Sequence, residues 1–170
     1  MRDIVELLYK FTDEICRKEN YSEDELWDYL VRRGCGILNC HAATMFGADE
    51  NRKTLTFLKT AGPVGADLIG VTFPYSGVVG ACVTDRKPLI VNDAENSPFF
   101  SNKVDKSSGF KTKSVIAVPA VFNGQLLGVM EFINSAEGSF SLDDMQAACV
   151  MTSYISACVV HSRKIFSKLI

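Results

Sequence analysis

Residues 114–134 read Ser-Val-Ile-Ala-Val-Pro-Ala-Val-Phe-Asn-Gly-Gln-Leu-Leu-Gly-Val-Met-Glu-Phe-Ile-Asn. Two apolar runs, rich in β-branched residues, flank the pair Asn123-Gly124. An Asn-Gly pair readily adopts the two positive φ angles that a two-residue type I′ turn needs. The stretch therefore predicts a β-hairpin in which Phe122 faces Gln125.

Both faces of this hairpin are apolar. In a register without a bulge, one face holds Ser114, Ile116, Val118 and Ala120 with Leu127, Val129, Glu131 and Ile133. The other face holds Val115, Ala117, Pro119 and Val121 with Leu126, Gly128, Met130 and Phe132. A hairpin open to water alternates apolar and polar residues, so this one is predicted to lie inside a sheet that is covered on both sides. Pro119 cannot donate a ladder hydrogen bond, which predicts a bulge or an unpaired position there.

The composition is that of an ordinary soluble globular protein. The chain has 170 residues, of which 47% are hydrophobic and 22% charged, with a net charge of −2. This length suits one domain with an additional helix, and the charge gives no basic field that would attract nucleic acid. The apolar runs are shorter than the roughly 20 residues of a membrane span, and the N-terminus is not a signal peptide. We expect no membrane partner and a cytoplasmic location.

The six cysteines, at positions 16, 35, 40, 82, 149 and 158, form no Cys-x-x-Cys pair. Several lie in apolar helical contexts, where a reduced cysteine behaves as a small hydrophobic residue. We expect buried free thiols, with a disulfide or a redox role as the alternative.

Two helices are predicted before the sheet. Apolar residues recur at helical spacing over about residues 2–19. A second helix begins at Ser22, where Ser-Glu-Asp-Glu is a capping box in which Ser22 and Glu25 bond each other's backbone amides. Its apolar side holds Trp27, Leu30, Val31, Ile37 and Leu38.

Strand patterns follow at residues 41–46, 54–60, 68–73 and 87–92. Ser76 is predicted to cap a short helix over residues 77–85, whose free backbone amides are a candidate anion site. Ser97-Pro98 predicts the start of another short helix that ends near residue 105. The long connection up to the hairpin is typical of a binding lid. Ser141 is predicted to cap a final helix of about 26 residues, with acidic residues in its first turn, and we expect the distal half of this helix to extend beyond the sheet.

These elements, in this order, resemble the GAF family of small-molecule sensor domains, found in cyclic-nucleotide phosphodiesterases, adenylate cyclases, phytochromes and bacterial regulators. The resemblance covers about residues 22–160. It depends on the phrases Gly77-Val-Val-Gly80-Ala, Arg86-Lys-Pro-Leu-Ile-Val-Asn-Asp93-Ala94, Gly109-Phe-Lys-Thr-Lys-Ser114-Val-Ile-Ala-Val-Pro119 and Gly124-Gln-Leu-Leu-Gly128-Val-Met-Glu-Phe-Ile-Asn134, followed by Phe140 and Asp143-Asp144.

The resemblance implies an α+β fold with a six-stranded antiparallel sheet. The first, second and last helices cover one face, and short helices and loops form a ligand pocket on the other. The implied organisation is an N-terminal dimerisation or linker helix over residues 1–20, a GAF domain over 21–160, and the distal end of a signalling helix over 161–170. It also implies a homodimer through the terminal helices and an output domain in a larger signalling protein.

No cofactor is implied with certainty, and a cyclic nucleotide is the candidate ligand. Family members that bind one carry an Asn-Lys, Phe, Asp-Glu signature, which this chain matches in part through Asn134-Ser135, Phe140 and Asp143-Asp144. A phosphate is expected at the helix start after Ser76, and a base near Asp93 and Ala94. The full candidate site comprises Phe73, Ser76, Gly77, Asp93, Ala94, Phe100, Thr112, Ser114 and Glu131.

Each of these residues also has a structural interpretation. Ser76 could serve only as a cap, Asp93 as a turn former and Glu131 as a carboxylate that reaches solvent. Phe73 and Phe100 are residue types found more often in a core than at a ligand. Glu131 is the most informative, because a carboxylate in an apolar strand needs a donor or a shifted pKa.

Other functions of the family fit less well. One branch reduces free methionine sulfoxide with pocket cysteines, but residues 92–110 hold no second thiol that could resolve a disulfide with Cys82. Phytochrome-like relatives attach bilin through a cysteine beside a histidine, yet Cys40-His41 comes before the sheet is built. His161 is expected to be solvated or at an interface. We therefore expect a non-catalytic sensor module, with a ligand-free dimerisation module as the alternative.

Overall fold

The computed structural model describes residues 3–63, 65–99 and 109–167. Its helices in this part of the chain are α1 (Ile4–Cys16), α2 (Glu23–Leu38), α3 (Gly77–Asp85) and α4 (Leu142–Phe166). Its strands are β1 (Cys40–Asp49), β2 (Thr54–Ala61), β3 (Thr72–Pro74), β4 (Leu89–Val91), β5 (Val115–Phe122) and β6 (Gln125–Ser135). The strands form one antiparallel sheet in the order β3-β2-β1-β6-β5-β4, which confirms the predicted fold class.

The predicted hairpin is present as β5 and β6. Asn123 and Gly124 have φ angles of 49° and 77°, as a type I′ turn requires, and Phe122 pairs with Gln125. The hairpin lies inside the sheet between β1 and β4, and both of its faces are buried. An apolar sequence without alternation therefore predicted the two-sided burial correctly.

The predicted register of this hairpin is wrong beyond its first two pairs. Val121 pairs with Leu126, but Ala120 pairs with Gly128, so Leu127 is the extra residue of a β-bulge. The bulge lies in β6 and not at Pro119, which pairs with Val129. After the bulge each β6 side chain lies on the opposite face from the one expected. Side chains that share the helix-covered face are Ile116, Val118, Ala120, Leu127, Met130 and Phe132.

The first face of the sheet is covered by α2 and α4, and α1 packs against these two helices. The Ser22 hydroxyl accepts a hydrogen bond from the Glu25 amide, and the Glu25 carboxylate accepts one from the Ser22 amide, as predicted. Ser141 and Asp144 form a second capping box at the start of α4. The large side chains that these helices bury there include Phe11, Trp27, Leu30, Met151 and Ile155.

Three predicted elements differ from the structure. The expected third strand begins at residue 72, because residues 66–68 form a 3₁₀ turn instead. The expected strand over residues 87–92 is reduced to β4, which pairs with β5. The expected helix after Ser97 lies largely outside the described residues, and Pro98 and Phe99 form a turn.

The distal half of α4 is covered by the chain's own N-terminal elements. The Ser162 hydroxyl donates to the Tyr21 carbonyl at 2.9 Å. Arg163 donates two hydrogen bonds to the Glu23 carboxylate, at 2.6 and 2.7 Å. These bonds join the end of α4 to the start of α2. None of the described helices is long and apolar enough to cross a membrane.

The cysteines among the described residues are all free thiols, but they are less buried than expected. Only Cys82 is fully buried, whereas Cys16 is exposed on α1. The others are half-buried, at positions 35, 40, 149 and 158. The expectation of buried packing thiols was therefore wrong for most of them.

Candidate functional site

The second face of the sheet carries its own apolar cluster. Phe46 and Phe57 meet edge to face with ring centroids 4.6 Å apart, and Phe73 lies 5.7 Å from Phe46. The same cluster includes apolar residues of α3, among them Val78, Val79 and Cys82. The candidate ligand residue Phe73 is thus half-buried in a packed cluster at the edge of the sheet.

The start of α3 lacks the side-chain cap that the sequence predicts. Ser76 occupies the N-cap position, but its exposed hydroxyl makes no capping hydrogen bond. The first turn of α3 also holds no acidic residue, and Gly77 has a φ of 67°. The amides of this turn are therefore not engaged by a capping side chain, and the positive end of the helix dipole meets no carboxylate of its own first turn.

Tyr75, which precedes this cap, was not singled out by the sequence analysis. Among the described residues its hydroxyl is a buried oxygen without a hydrogen-bond partner. Burial raises the pKa of this phenol, with the negative charges of Glu50 and Asp49 acting in the same direction. Gly80 permits this arrangement, since a Cβ there would lie 2.8 Å from the Tyr75 carbonyl carbon. A buried phenol carries no signal in a single sequence, because its burial depends on how α3 packs.

Asp93 and Ala94 lie beside the segment that enters the hairpin. The Ala94 amide donates to the Lys113 carbonyl at 2.9 Å, and Ala94 is fully buried. Asp93 is exposed, and both of its carboxylate oxygens accept from the side-chain nitrogen of Asn96, at 2.9 and 3.1 Å. The backbone of Ala94 is thus committed to this contact, whereas the Asp93 side chain faces solvent.

Asn134 holds this segment in place. Its side-chain oxygen accepts from the amides of Lys113 and Ser114, and its side-chain nitrogen donates to the Lys111 carbonyl. The hydroxyl of Ser114 is buried and accepts from the Ser135 amide at 3.1 Å. Ser114 and Asn134 therefore form a buried clamp between the ends of β5 and β6, and the candidate residue Thr112 is buried within the same segment.

A second clamp joins β4 to the start of α4. The side chain of Asn92 donates to the Phe140 carbonyl at 2.9 Å and accepts from the Phe140 amide at 2.8 Å. Asp144 is buried in its capping box, and Asp143 is exposed. The signature positions Asn134, Phe140 and Asp144 thus have structural partners, which their sequence spacing alone does not reveal.

Glu131 lies on the second face, because it pairs across the sheet with Ala117 of the second cluster. It is half-buried there and has an interaction within the chain. Burial raises the pKa of the Cys82 thiol, and the charges of Cys149, Glu131 and Asp85 add to this effect. Cys82 is therefore held in its neutral, poorly nucleophilic form.

The candidate residues thus fall into two groups. Phe73, Ser76, Gly77 and Glu131 belong to the sheet face that α3 covers, whereas Asp93, Ala94, Thr112 and Ser114 belong to the clamped segment. Phe100 lies outside the described residues. Within residues 3–63, 65–99 and 109–167 no cluster of His, Cys, Asp and Glu could hold a metal ion.

A cavity of 310 Å³ lies on the other side of the sheet, away from the candidate site. It separates the end of α1 from the distal part of α4 and includes His161, which is exposed as expected. Its walls are formed by Ile15, Lys18, Glu19, Asn20, Tyr21, Leu26, Ala157, Cys158, His161, Ser162 and Ile165. The candidate ligand residues are not among them.

The sequence profile of the family described as GAF domain matches residues 22–159. Over 168 residues, or 94% of its length, this chain is 27% identical to the cone cGMP-specific 3′,5′-cyclic phosphodiesterase subunit α′ of Mus musculus. The matched region is 19% of that subunit's length.

Solved structures show the same fold. The GAF domain of a phosphoenolpyruvate-protein phosphotransferase from Coxiella burnetii superimposes with a TM-score of 0.84 at 18% identity, covering 97% of both chains. A free methionine-R-sulfoxide reductase from Neisseria meningitidis, solved with its substrate, superimposes with a TM-score of 0.79 at 15% identity. That likeness covers 95% of this chain and 91% of the reductase.

Proposed function

The chain is a regulatory sensor module of the GAF domain family, and we propose that it senses a cyclic nucleotide within a larger signalling protein. The carrying observation is the similarity to a cGMP-specific phosphodiesterase over 94% of the chain. Since the chain spans about a fifth of that subunit, the catalytic activity there is not attributed to this module.

The second face of the sheet is the proposed binding side. The start of α3, with no capping side chain and no acidic residue in its first turn, suits the phosphate of a cyclic nucleotide. The partnerless hydroxyl of Tyr75 interacts electrostatically with Glu50, Asp49 and Arg86, so it is not assigned to the phosphate. The base would lie toward Asp93 and Ala94, next to the clamped segment.

Transmission through the terminal helices completes the proposal. The apolar side chains of Val5 and Tyr9 on α1 are 77% and 64% exposed, and Val150 on α4 is 48% exposed. A homodimer through α1 and α4 would cover them. Ligand binding would favour one packing of these helices, by no more than the ligand's difference in affinity between the two states. An output domain would read that shift.

A ligand-free dimerisation module is the alternative. The observation that favours it is the packing of the second face, where Phe46, Phe57 and Phe73 contact one another and belong to the same apolar cluster as residues of α3. Reductase activity is less favoured, because the thiol of Cys82 is buried and its pKa is raised. The likeness to the reductase is one of fold.

The test is a thermal-shift titration of the purified protein with cyclic GMP and cyclic AMP, together with mass spectrometry of any co-purified compound. A ligand that binds only the folded state adds about 2.7 kcal/mol of stability at a hundredfold excess over Kd, a shift of several degrees. A flat response with no co-purified compound would support the ligand-free module instead.

Two variants test whether the ligand binds at the start of α3. Ser76→Asp puts a capping carboxylate at the start of α3, so it should raise the melting temperature of the free protein and remove the nucleotide-induced shift. The matched control is Ser22→Asp, which alters the N-cap of α2 on the opposite face. An undiminished nucleotide shift in Ser76→Asp would contradict binding at this helix start.

A further inference from the structure

The junction between α2 and β1 brings two thiols together. Cys35 lies in the last turn of α2 and Cys40 is the first residue of β1. Their sulfur atoms are 3.5 Å apart, with the Cys40 thiol directed at the Cys35 sulfur. No part of the proposed nucleotide site uses either residue.

The backbone creates this proximity. Asn39 ends α2 in the left-handed conformation, with a φ of 51°, and its amide bonds the carbonyls of Cys35 and Gly36. The chain therefore reverses between the two cysteines. Beyond the turn, Cys40 pairs with Ser135 of β6, and the Ala136 amide donates to the Asn39 carbonyl at 2.8 Å. The sheet and the helix thus fix the two Cα positions independently of the thiols.

The two thiols are chemically unequal. Cys40 donates toward Cys35, which lowers the pKa of the Cys35 thiol and raises that of Cys40. Cys35 in turn donates to the Cys40 carbonyl at 3.0 Å while it is protonated. Both side chains are half-buried, so a small oxidant reaches them without unfolding of the domain.

From this geometry we infer that Cys35 and Cys40 form a reversible disulfide, with Cys35 as the residue that reacts first with a hydroperoxide. A disulfide bond is about 2.05 Å long, so the sulfur atoms need to approach by about 1.5 Å, which is within the reach of side-chain rotation. Proximity is the main driving factor, because a neighbouring thiol acts at a high effective concentration.

The reaction has two steps. The Cys35 thiolate attacks one peroxide oxygen, the O–O bond breaks, and hydroxide leaves and takes a proton to become water. Cys35 is thereby oxidised to a sulfenic acid and the peroxide is reduced. The Cys40 sulfur then attacks the Cys35 sulfur, the S–O bond breaks, and hydroxide leaves with the Cys40 proton as a second water. A dithiol reductant reverses the bond by thiol–disulfide exchange.

The product would bind the last turn of α2 to the first residue of β1. This junction adjoins the end of β6, where Asn134 clamps the segment that enters the hairpin. The disulfide would therefore stiffen the framework beside the proposed binding side, under oxidising conditions only. The inference does not depend on the identity of the ligand or on its binding.

Tryptic peptides make the test direct. Cleavage after Arg33 and Arg52 releases residues 34–52, which contain Cys35 and Cys40 and no other cysteine. The folded protein is exposed to hydrogen peroxide, denatured, alkylated and digested. The expected result is a peptide that has lost two hydrogen atoms and takes up no alkyl group, and that becomes doubly alkylated after dithiol treatment. Cys82, alone in the peptide of residues 60–86, should stay alkylated and provides the control.

Single variants test the order of the steps. In Cys40→Ser, Cys35 should accumulate as a sulfenic acid that dimedone traps. In Cys35→Ser, Cys40 should remain alkylated at the same peroxide dose. Full alkylation of residues 34–52 in the oxidised wild type would overturn the inference, as would oxidation of Cys35 to a sulfinic acid with Cys40 still free. Trapping of Cys40 in Cys35→Ser, with none at Cys35 in Cys40→Ser, would overturn the assigned order.

Discussion

The two faces of the sheet differ in how the starts of their helices are capped. On the first face, α2 and α4 begin with complete capping boxes, and Arg163 closes the end of α4 onto Glu23. On the second face, α3 begins at a serine whose hydroxyl makes no capping bond, and the hydroxyl of Tyr75 is buried without a partner among the described residues.

This difference separates stability from function. The first face caps its helix starts within the chain and buries the larger share of the big apolar side chains, although the Thr152 hydroxyl on α4 is buried without a partner among the described residues. Helix starts whose amides are already bonded by capping side chains have little to offer a polar ligand. The second face keeps unused hydrogen-bonding capacity beside an apolar wall, which is the combination that small-molecule sites use. Substitutions on the two faces should therefore have different consequences.

The largest expected difference comes from removing one phenylalanine ring on each face. Phe132 is fully buried on the first face, where its ring lies so close to Gly34 of α2 that a Cβ would come within 2.7 Å. Phe132→Ala should lower the free energy of unfolding by about 3–5 kcal/mol. Phe73→Ala on the second face, where the ring is half-buried, should cost about 2 kcal/mol or less.

Urea unfolding of both variants measures this contrast. Equal losses at the two positions would mean that the second face contributes to stability as strongly as the first, and the proposed division between the faces would fail. Phe73→Leu, which keeps an apolar side chain at the sheet edge, is the control for the loss of the ring alone.

A smaller but sharper difference is expected between two N-cap serines. Ser141→Ala removes a hydroxyl that accepts from the Asp144 amide and should cost about 1 kcal/mol of unfolding free energy. Ser76→Ala removes a hydroxyl with no capping bond and should change stability by about 0.5 kcal/mol or less. Thermal unfolding in the absence of ligand compares the two directly. A matching loss at Ser76 would show that its hydroxyl caps α3 in solution.

The smallest effect concerns the pH dependence of the first face. The hydrogen bonds from Arg163 hold the pKa of the Glu23 carboxyl below its ordinary value of 4.5, with a smaller contribution from Trp27, while burial opposes the shift. A carboxyl whose pKa is lower in the folded state stabilises the fold above its ordinary pKa, and this contribution is lost as pH falls through the folded-state value.

Glu23→Gln should therefore flatten the decline of stability in the acid range. The change should stay below about 1 kcal/mol, since the Glu23 side chain is 34% exposed and solvent screens the pair. Urea unfolding at a series of pH values measures this slope, and Arg163→Met should flatten it in the same way. A slope equal to that of the wild type in both variants would exclude this pair as a source of acid sensitivity.

The features predicted correctly from the sequence are those with local causes. Asn123-Gly124 determines its turn through the φ angles it tolerates, and Ser22 and Ser141 cap helices through partners three residues away. The apolar pattern of β5 and β6 predicted an interior hairpin, because burial on both faces removes alternation.

The features that were missed have causes distant in the chain. The bulge at Leu127 left no signal, because both faces of the hairpin are apolar and a change of phase leaves the pattern unaltered. The absence of a capping hydrogen bond from Ser76 depends on how α3 packs and not on the residues next to Ser76 in the sequence. The approach of Cys35 to Cys40 follows from the left-handed turn at Asn39, and a spacing of five residues does not by itself predict a contact between two thiols. The roles of Asn92 and Asn134 arise only when separate strands meet.

Gly128 has a consequence for how faithfully the chain folds. A Cβ at this position would collide with the carbonyl oxygen of Phe46 on the neighbouring strand β1. Because both faces of the hairpin are apolar, hydrophobicity distinguishes poorly between the native pairing and one slipped by a residue. A slip would bring Leu127 or Val129 to the place that only glycine fits, so the misaligned sheet would be rejected by steric exclusion. The absence of a side chain at Gly128 thus favours the native register when the central strands pair.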